Sequence, residues 1–213
     1  MHRLPLFPLN VVLFPGAQLP LHIFEPRYRT MINRCIEEQK PFGIVLIREG
    51  VEVGGMSIPH LIGTMAEIQD AYRLADGRMY IVVEGTKRFR VNYPITLEPY
   101  IVAMVTELDD EQVMQDQADE LIAIYKQYHR TVAAATGMKT NQSELPTEPV
   151  ALSYYLADAI QLPLKTKQGW LEATLSERIA EIAHSLRFEL SLLPPIAPDQ
   201  LDREPPFEYT SWN

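Results

Sequence analysis

LPLFPLNVVLFPGAQLPLHIFEPRYRTMI, residues Leu4–Ile32, changes its period part-way and so decides what kind of fold the chain builds. Its first part is apolar, punctuated by prolines, and holds the β-branched run Val11–Phe14 between Asn10 and Pro15. Such a bounded run reads as a buried strand. Its last part reads as a helix. Pro26 suits a first-turn position, and Glu25 stands where the positive helix end favours a carboxylate. Tyr28, Met31, Ile32, Cys35 and Ile36 then recur at helical spacing, which predicts one buried face.

The strand signal returns beyond this helix. Phe42–Ile47 and Tyr80–Val83 are short apolar runs, and Ala66, Ile68, Tyr72 and Leu74 alternate with Glu67, Gln69 and Arg73. Ala75–Arg78, with a glycine free to take positive φ, predicts a hairpin turn into Met79–Glu84. Phe89, Val91 and Tyr93 alternate with Arg88, Arg90 and Asn92, and Tyr100–Glu107 predicts a further strand. On this pattern Arg88 and Arg90 share a solvent face opposite Phe89. Many short strands around one helix point to a closed or nearly closed β-structure.

After residue 108 the period is helical. Leu121, Tyr125, Tyr128, Val132 and Ala135 mark one helix that Gly137 would stop, and Thr147 would cap a second running to Ile160. Leu171, Leu175, Ile179, Ile182, Leu186, Leu190 and Leu193 form a stripe of alternating fours and threes, up to Pro194-Pro195. Such a stripe can join two copies of a chain, but it more commonly packs on its own chain's helices. The expected division is a β-rich domain over 1–108, a helical bundle over 109–193 and a Pro-rich acidic tail over 194–213. Phe207, Tyr209 and Trp212 would strap that tail onto the body or a neighbour.

Charge excludes several functions. The net charge is −9, and residues 109–213 hold all of it, with 8 basic against 17 acidic side chains. A neutral half joined to an acidic half argues against nucleic acid, whose binding rests on neutralising phosphates. No apolar run reaches the roughly 20 residues of a membrane helix, and no secretory h-region opens the chain, so a cytoplasmic location is expected. The single cysteine, Cys35, makes an intrachain disulfide impossible, and its place on an apolar helix face predicts an inert thiol.

No nucleotide loop or nucleophile elbow is found, and the five histidines lack metal spacing, so neither cofactor nor metal is expected. Lys87–Arg90 interleaves bases with an aromatic, but as a strand it reads as polar-out and apolar-in.

Leu4–Ile32 resembles the opening of the amino-terminal, substrate-binding domain of Lon proteases. FGIVLI (Phe42–Ile47), GTMAEI (Gly63–Ile68), DGRMYIVVEGTKRFRV (Asp76–Val91), PYIVAMV (Pro99–Val105) and LADAIQLPLKTKQGWLEATLSERIAEIAHSL (Leu156–Leu186) continue the likeness in order. The resemblance implies an α+β, PUA-like fold: a six-stranded β pseudo-barrel enclosing one helix, followed by an α-helical bundle. It also implies a free-standing, non-catalytic protein- or peptide-binding module, an adaptor in protein quality control. Its expected partners are unfolded or exposed polypeptide segments and a protease or chaperone, with no nucleic acid and no membrane, as a monomer or weak dimer. The ATPase and Ser-Lys protease parts of Lon have no counterpart in these residues. The alternative is a small-ligand-binding protein or an enzyme on the same fold, which would need a pocket of converging polar groups. Recognition of exposed segments needs apolar surface, and the expected protein contacts are Leu19, Leu21, His22, Glu25, Arg27, Met56, Tyr72 and Met79.

Overall fold

The computed structural model describes residues 1–55, 57–111, 115–136 and 145–193. Met56, Gly137 and the tail 194–213, with the strap expected of it, lie outside the described residues. Among the described residues seven strands form one sheet, where six were expected: β1 (His2–Leu9), β2 (Gln18–Ile23), β3 (Phe42–Gly50), β4 (Ser57–Pro59), β5 (Ile62–Arg73), β6 (Met79–Thr96) and β7 (Val102–Leu108).

β1 changes partner along its length. Residues 2–5 run antiparallel to β7, and residues 6–9 run parallel to β3. The order β1-β7-β6-β5-β3 therefore comes back to β1, with β2 added on β6 and β4 on β3. The β5–β6 hairpin turns at the expected place. Gly77 takes φ 83°, and the Asp76 carboxylate accepts the Arg78 amide at 3.0 Å and its Nε at 2.7 Å.

Val11–Phe14 is not a strand. It is a connection whose side chains turn inward, with Val12, Leu13 and Phe14 all buried. The ladder hydrogen bonds it lacks are replaced locally: the buried Thr64 hydroxyl donates to the Leu13 carbonyl, and Gly16 N–H donates to the Gly85 carbonyl at 2.7 Å. An apolar run reports burial, and burial alone does not make a strand.

Helix α1 (Pro26–Glu38) carries Pro26 in its first turn and ends on Gln39 in the left-handed region. Tyr28, Met31, Ile32 and Cys35 pack with Phe7, Phe42, Ile44, Met79 and Ile81 in the main core. Burying one such apolar side chain is worth about 1.5–3 kcal/mol, so this face anchors the helix. Arg34, Glu37 and Glu38 remain in solvent. The helix thus lies against the sheet with a wet face and is not enclosed by it. A second core sits on the other side of β1 and β3: Leu4, Leu6, Val45, Phe89, Ala103 and Val105.

Burial pushes the Cys35 thiol up to about 11. Native protein at mildly alkaline pH should therefore resist iodoacetamide, and unfolded protein should be alkylated, as mass spectrometry would show. The folded state favours the thiol, so this contribution is complete below the thiol's ordinary 9.0 and is lost as pH rises from there to about 11.

Five helices are described: α1, α2 (Gln115–Thr136), α3 (Pro149–Ala159), α4 (Leu164–Glu172) and α5 (Leu175–Leu192). The cap of α3 comes from Glu148, whose carboxylate accepts the amides of Val150 (3.1 Å) and Ala151 (2.8 Å); Thr147 had been expected there. The long leucine stripe is broken, because Ala173 is extended and separates α4 from α5. By contact the chain forms two compact units, each discontinuous in sequence. One joins Met1–Glu111 to Tyr154–Thr174; the other contains α2, the first turn of α3, and α5.

In the second unit α2 packs on α5 through Ala118, Leu121, Ile124, Ile179, Ile182 and Leu186. The buried stripe of α2 thus lies earlier than the spacing predicted, and Tyr125, Tyr128 and Val132 are only half-buried. Arg178 is fully buried there, its Nε donating to the Ser153 hydroxyl at 2.9 Å.

Arg88 corrects a sequence reading in the first unit. It is 5% exposed, whereas Arg90 is in solvent. Its guanidinium donates to the carbonyls of Leu171 and Ala173, both at 2.8 Å, and to Asp110 at 2.8 Å. Tyr154 donates its hydroxyl to the other Asp110 oxygen. Strand alternation put Arg88 outward; the end of α4 then covers that face, and Arg88 binds the helix's terminal carbonyls.

Candidate functional site

Among the described residues β2 is hydrogen-bonded to β6 alone, and β6 continues the ladder to β5. Residues directly opposite one another in such a ladder share a face. The outer face across β2, β6 and β5 therefore reads in rows: His22, Tyr80, Tyr72; then Pro20, Val82, Asp70; then Gln18, Glu84, Glu67. A register shift between Ile68 and Asp70 keeps Glu67 and Asp70 on the same side despite their odd spacing.

The first row is aromatic and wet. His22 stacks on Tyr80 with ring centroids 4.6 Å apart and planes 15° from parallel, and Phe24 lies 5.6 Å from His22. Tyr72 is 67% exposed, Tyr80 52% and Phe24 43%. Exposed rings grouped in this way are uncommon on a surface with no partner. An open groove of about 320 Å³, lined by Pro20, Leu21, His22, Asp70, Tyr72 and Tyr80, runs along the row. A smaller one of about 140 Å³ lies on the other side of His22, against Phe24, Glu25 and Val53.

The charged pair at the start of α1 is a clamp. Arg27 donates to Glu25 at 3.1 Å and to the Gly55 carbonyl at 3.1 Å, while Glu25 accepts the Gly54 amide at 3.3 Å. Together they fasten the β3–β4 connection to the helix, leaving Val51 and Val53 more than half exposed beside the smaller groove.

Of the eight expected contact residues, Leu21, His22, Glu25, Arg27 and Tyr72 gather around these two grooves. Leu19 is half-buried and packs on the core. Met79 is 1% exposed and belongs to the core, so it offers no surface. Met56 is among the residues not described. Sequence reading missed Tyr80 and Phe24. Tyr80 had a usable signal, since Met79, Ile81 and Val83 alternate inward and place it outward. Phe24, at the join of strand and helix, had none. Among the described residues no group of three or more His, Cys, Asp or Glu side chains is placed to hold a metal ion. No helix among them is long and apolar enough to cross a membrane.

Fold and surface together define an α+β protein whose sheet presents an exposed aromatic face. The model of the ATP-dependent protease La (LON) substrate-binding domain matches residues 3–187, and the chain belongs to that family. The Lon protease of Flavobacterium johnsoniae is 30% identical over 204 residues, covering 89% of this chain and 24% of the relative. That of Anaeromyxobacter dehalogenans is 29% identical over 180 residues, covering 79% and 21%. The chain thus spans about a quarter of the length of the curated relatives it matches.

Among solved structures, a Lon N-terminal domain protein from Xanthomonas campestris aligns with TM-score 0.63 at 24% identity, covering 91% of this chain and 100% of that one. The N-terminal domain of a Mycobacterium avium complex Lon protease aligns with TM-score 0.61 at 19% identity, covering 87% and 98%. These two likenesses establish the fold.

Proposed function

We propose that the chain binds exposed or unfolded polypeptide segments on the outer face of β2, β6 and β5 without turning them over. In this reading it serves protein quality control as a cytoplasmic adaptor that passes such segments to a protease or chaperone. The observation that carries the proposal is the wet row of Phe24, His22, Tyr80 and Tyr72 beside an open apolar groove. Rigid rings give large contact area at little entropic cost, which suits them to hold unstructured chain. Polypeptide fits this surface better than a small ligand, because both grooves are open to solvent and neither encloses a cavity.

The test is fluorescence anisotropy of labelled unstructured peptides, with and without aromatic residues, titrated with the protein. Peptides with aromatics should bind, and Tyr72→Ser/Tyr80→Ser should weaken them by about tenfold or more, since central aromatic anchors contribute about 1–2 kcal/mol or more each. Exposed side chains contribute little to folding, so the melting temperature should barely change. Equal binding by the variant would place the site elsewhere.

A further inference from the structure

We infer that the segment this face takes is cationic as well as aromatic: it carries Lys or Arg a few residues from its rings, and the cation sits over Glu67, Glu84 and Asp70. The inference rests on the reading just proposed and names its substrate class. Glu67 and Glu84 stand directly opposite each other on β5 and β6, and Asp70 follows one row nearer the aromatics. Like charges facing across a ladder repel, so the unliganded face carries an electrostatic cost that a bound cation removes.

No basic side chain of the described residues forms an ion pair with any of the three. Lys40, which borders the neighbouring concavity with Glu67 and Asp70, gives its ammonium to Glu38 at 2.8 Å. Asp70 lines the groove along the aromatic row together with Tyr72 and Tyr80, so one docked segment reaches rings and carboxylates at once. The tyrosine faces add a cation–π contribution for a cation passing over them. The face is thus graded along the strands, aromatic at the hairpin end and acidic toward Gln18, which sets the direction of an extended segment.

The experiment uses the whole chain and three labelled peptides with the same aromatics, carrying lysines, glutamines or glutamates at the flanking positions. At low salt the lysine peptide should bind about fivefold or more tighter than the glutamine peptide, and the glutamate peptide weakest, as expected for a few exposed charge pairs. Added salt should narrow the gap. Glu67→Gln/Glu84→Gln should abolish the preference while leaving glutamine-peptide affinity and melting temperature intact. Glu37→Gln/Glu181→Gln, with the same change in net charge at remote exposed positions, should keep the preference.

Equal affinity for all three peptides would overturn the cationic inference and leave the polypeptide-binding reading standing. So would a preference lost equally in both double variants, since it would then come from net charge. Failure of every peptide to bind would overturn both.

Discussion

Arg88→Met should lower the melting temperature by about 10 °C, the largest effect expected of any single side chain here. Arg88 is buried against Asp110, and removing it takes a charged donor away from that part-buried carboxylate. The carbonyls of Leu171 and Ala173 lose the same donor. Breaking a buried pair from one side costs about 3–5 kcal/mol. For a chain of this size each kcal/mol moves the midpoint by about 2–4 °C. Removing both charges, as in Arg88→Met/Asp110→Leu, should recover part of the loss, because the Asp110 carboxylate no longer has to be held without the Arg88 guanidinium. Thermal melts followed by circular dichroism check both. A double variant as poor as the sum of the single ones would show that the two charges do not act as a pair.

The second large effect concerns two glycines under one ring. A Cβ on Gly43 would stand 2.5 Å from the Cζ of Phe89 and 2.8 Å from a Leu6 methyl. A Cβ on Gly63 would stand 2.3 Å from the carbonyl oxygen of Ile44. Gly43→Ala meets side chains and should cost about 1–3 kcal/mol, as overpacking does. Gly63→Ala meets backbone, which cannot move without disturbing β3, and should cost more. Phe89→Leu separates the cases: it should relieve Gly43→Ala and do little for Gly63→Ala. The measurement is a pair of double-mutant cycles in urea, with a favourable coupling of about 1 kcal/mol expected only for the Gly43 pair. Equal rescue of both would mean that the ring, and not the strand, limits the second site.

What could be read in advance was whatever local chemistry decides. Helix α1 was legible from Pro26 and its spacing, and the β5–β6 turn from Gly77, because both signals act within a few residues. Arg88 was misread because its burial is decided by residues 171–173, more than eighty positions away, and strand alternation knows nothing of a covering helix. Val11–Phe14 was misread for a related reason: its apolar side chains are fixed by the core, while its Leu13 carbonyl accepts from the Thr64 hydroxyl and its Phe14 carbonyl from the Ala17 amide, which spacing does not reveal. The break at Ala173 was invisible because an apolar stripe runs unbroken through it.

The candidate site was partly legible. Loops and strand ends pointed to Leu21, His22, Glu25, Arg27 and Tyr72, and these do gather. The acidic row did not show, since Glu67 and Glu84 meet only through a hairpin register altered by a bulge. Met79 failed because hydrophobicity beside a turn does not tell which way a side chain points.

The interleaving of the two units bears on how a ribosome must deliver this protein. The first unit needs residues 154–174, so its strands leave the exit tunnel long before the helix that closes over Arg88. Helix α2 emerges in the interval, yet its packing partner α5 is synthesised later still. The first unit can close once residue 174 has left the tunnel, while α2 must still wait for α5, so the unit begun first is interrupted by the one finished last.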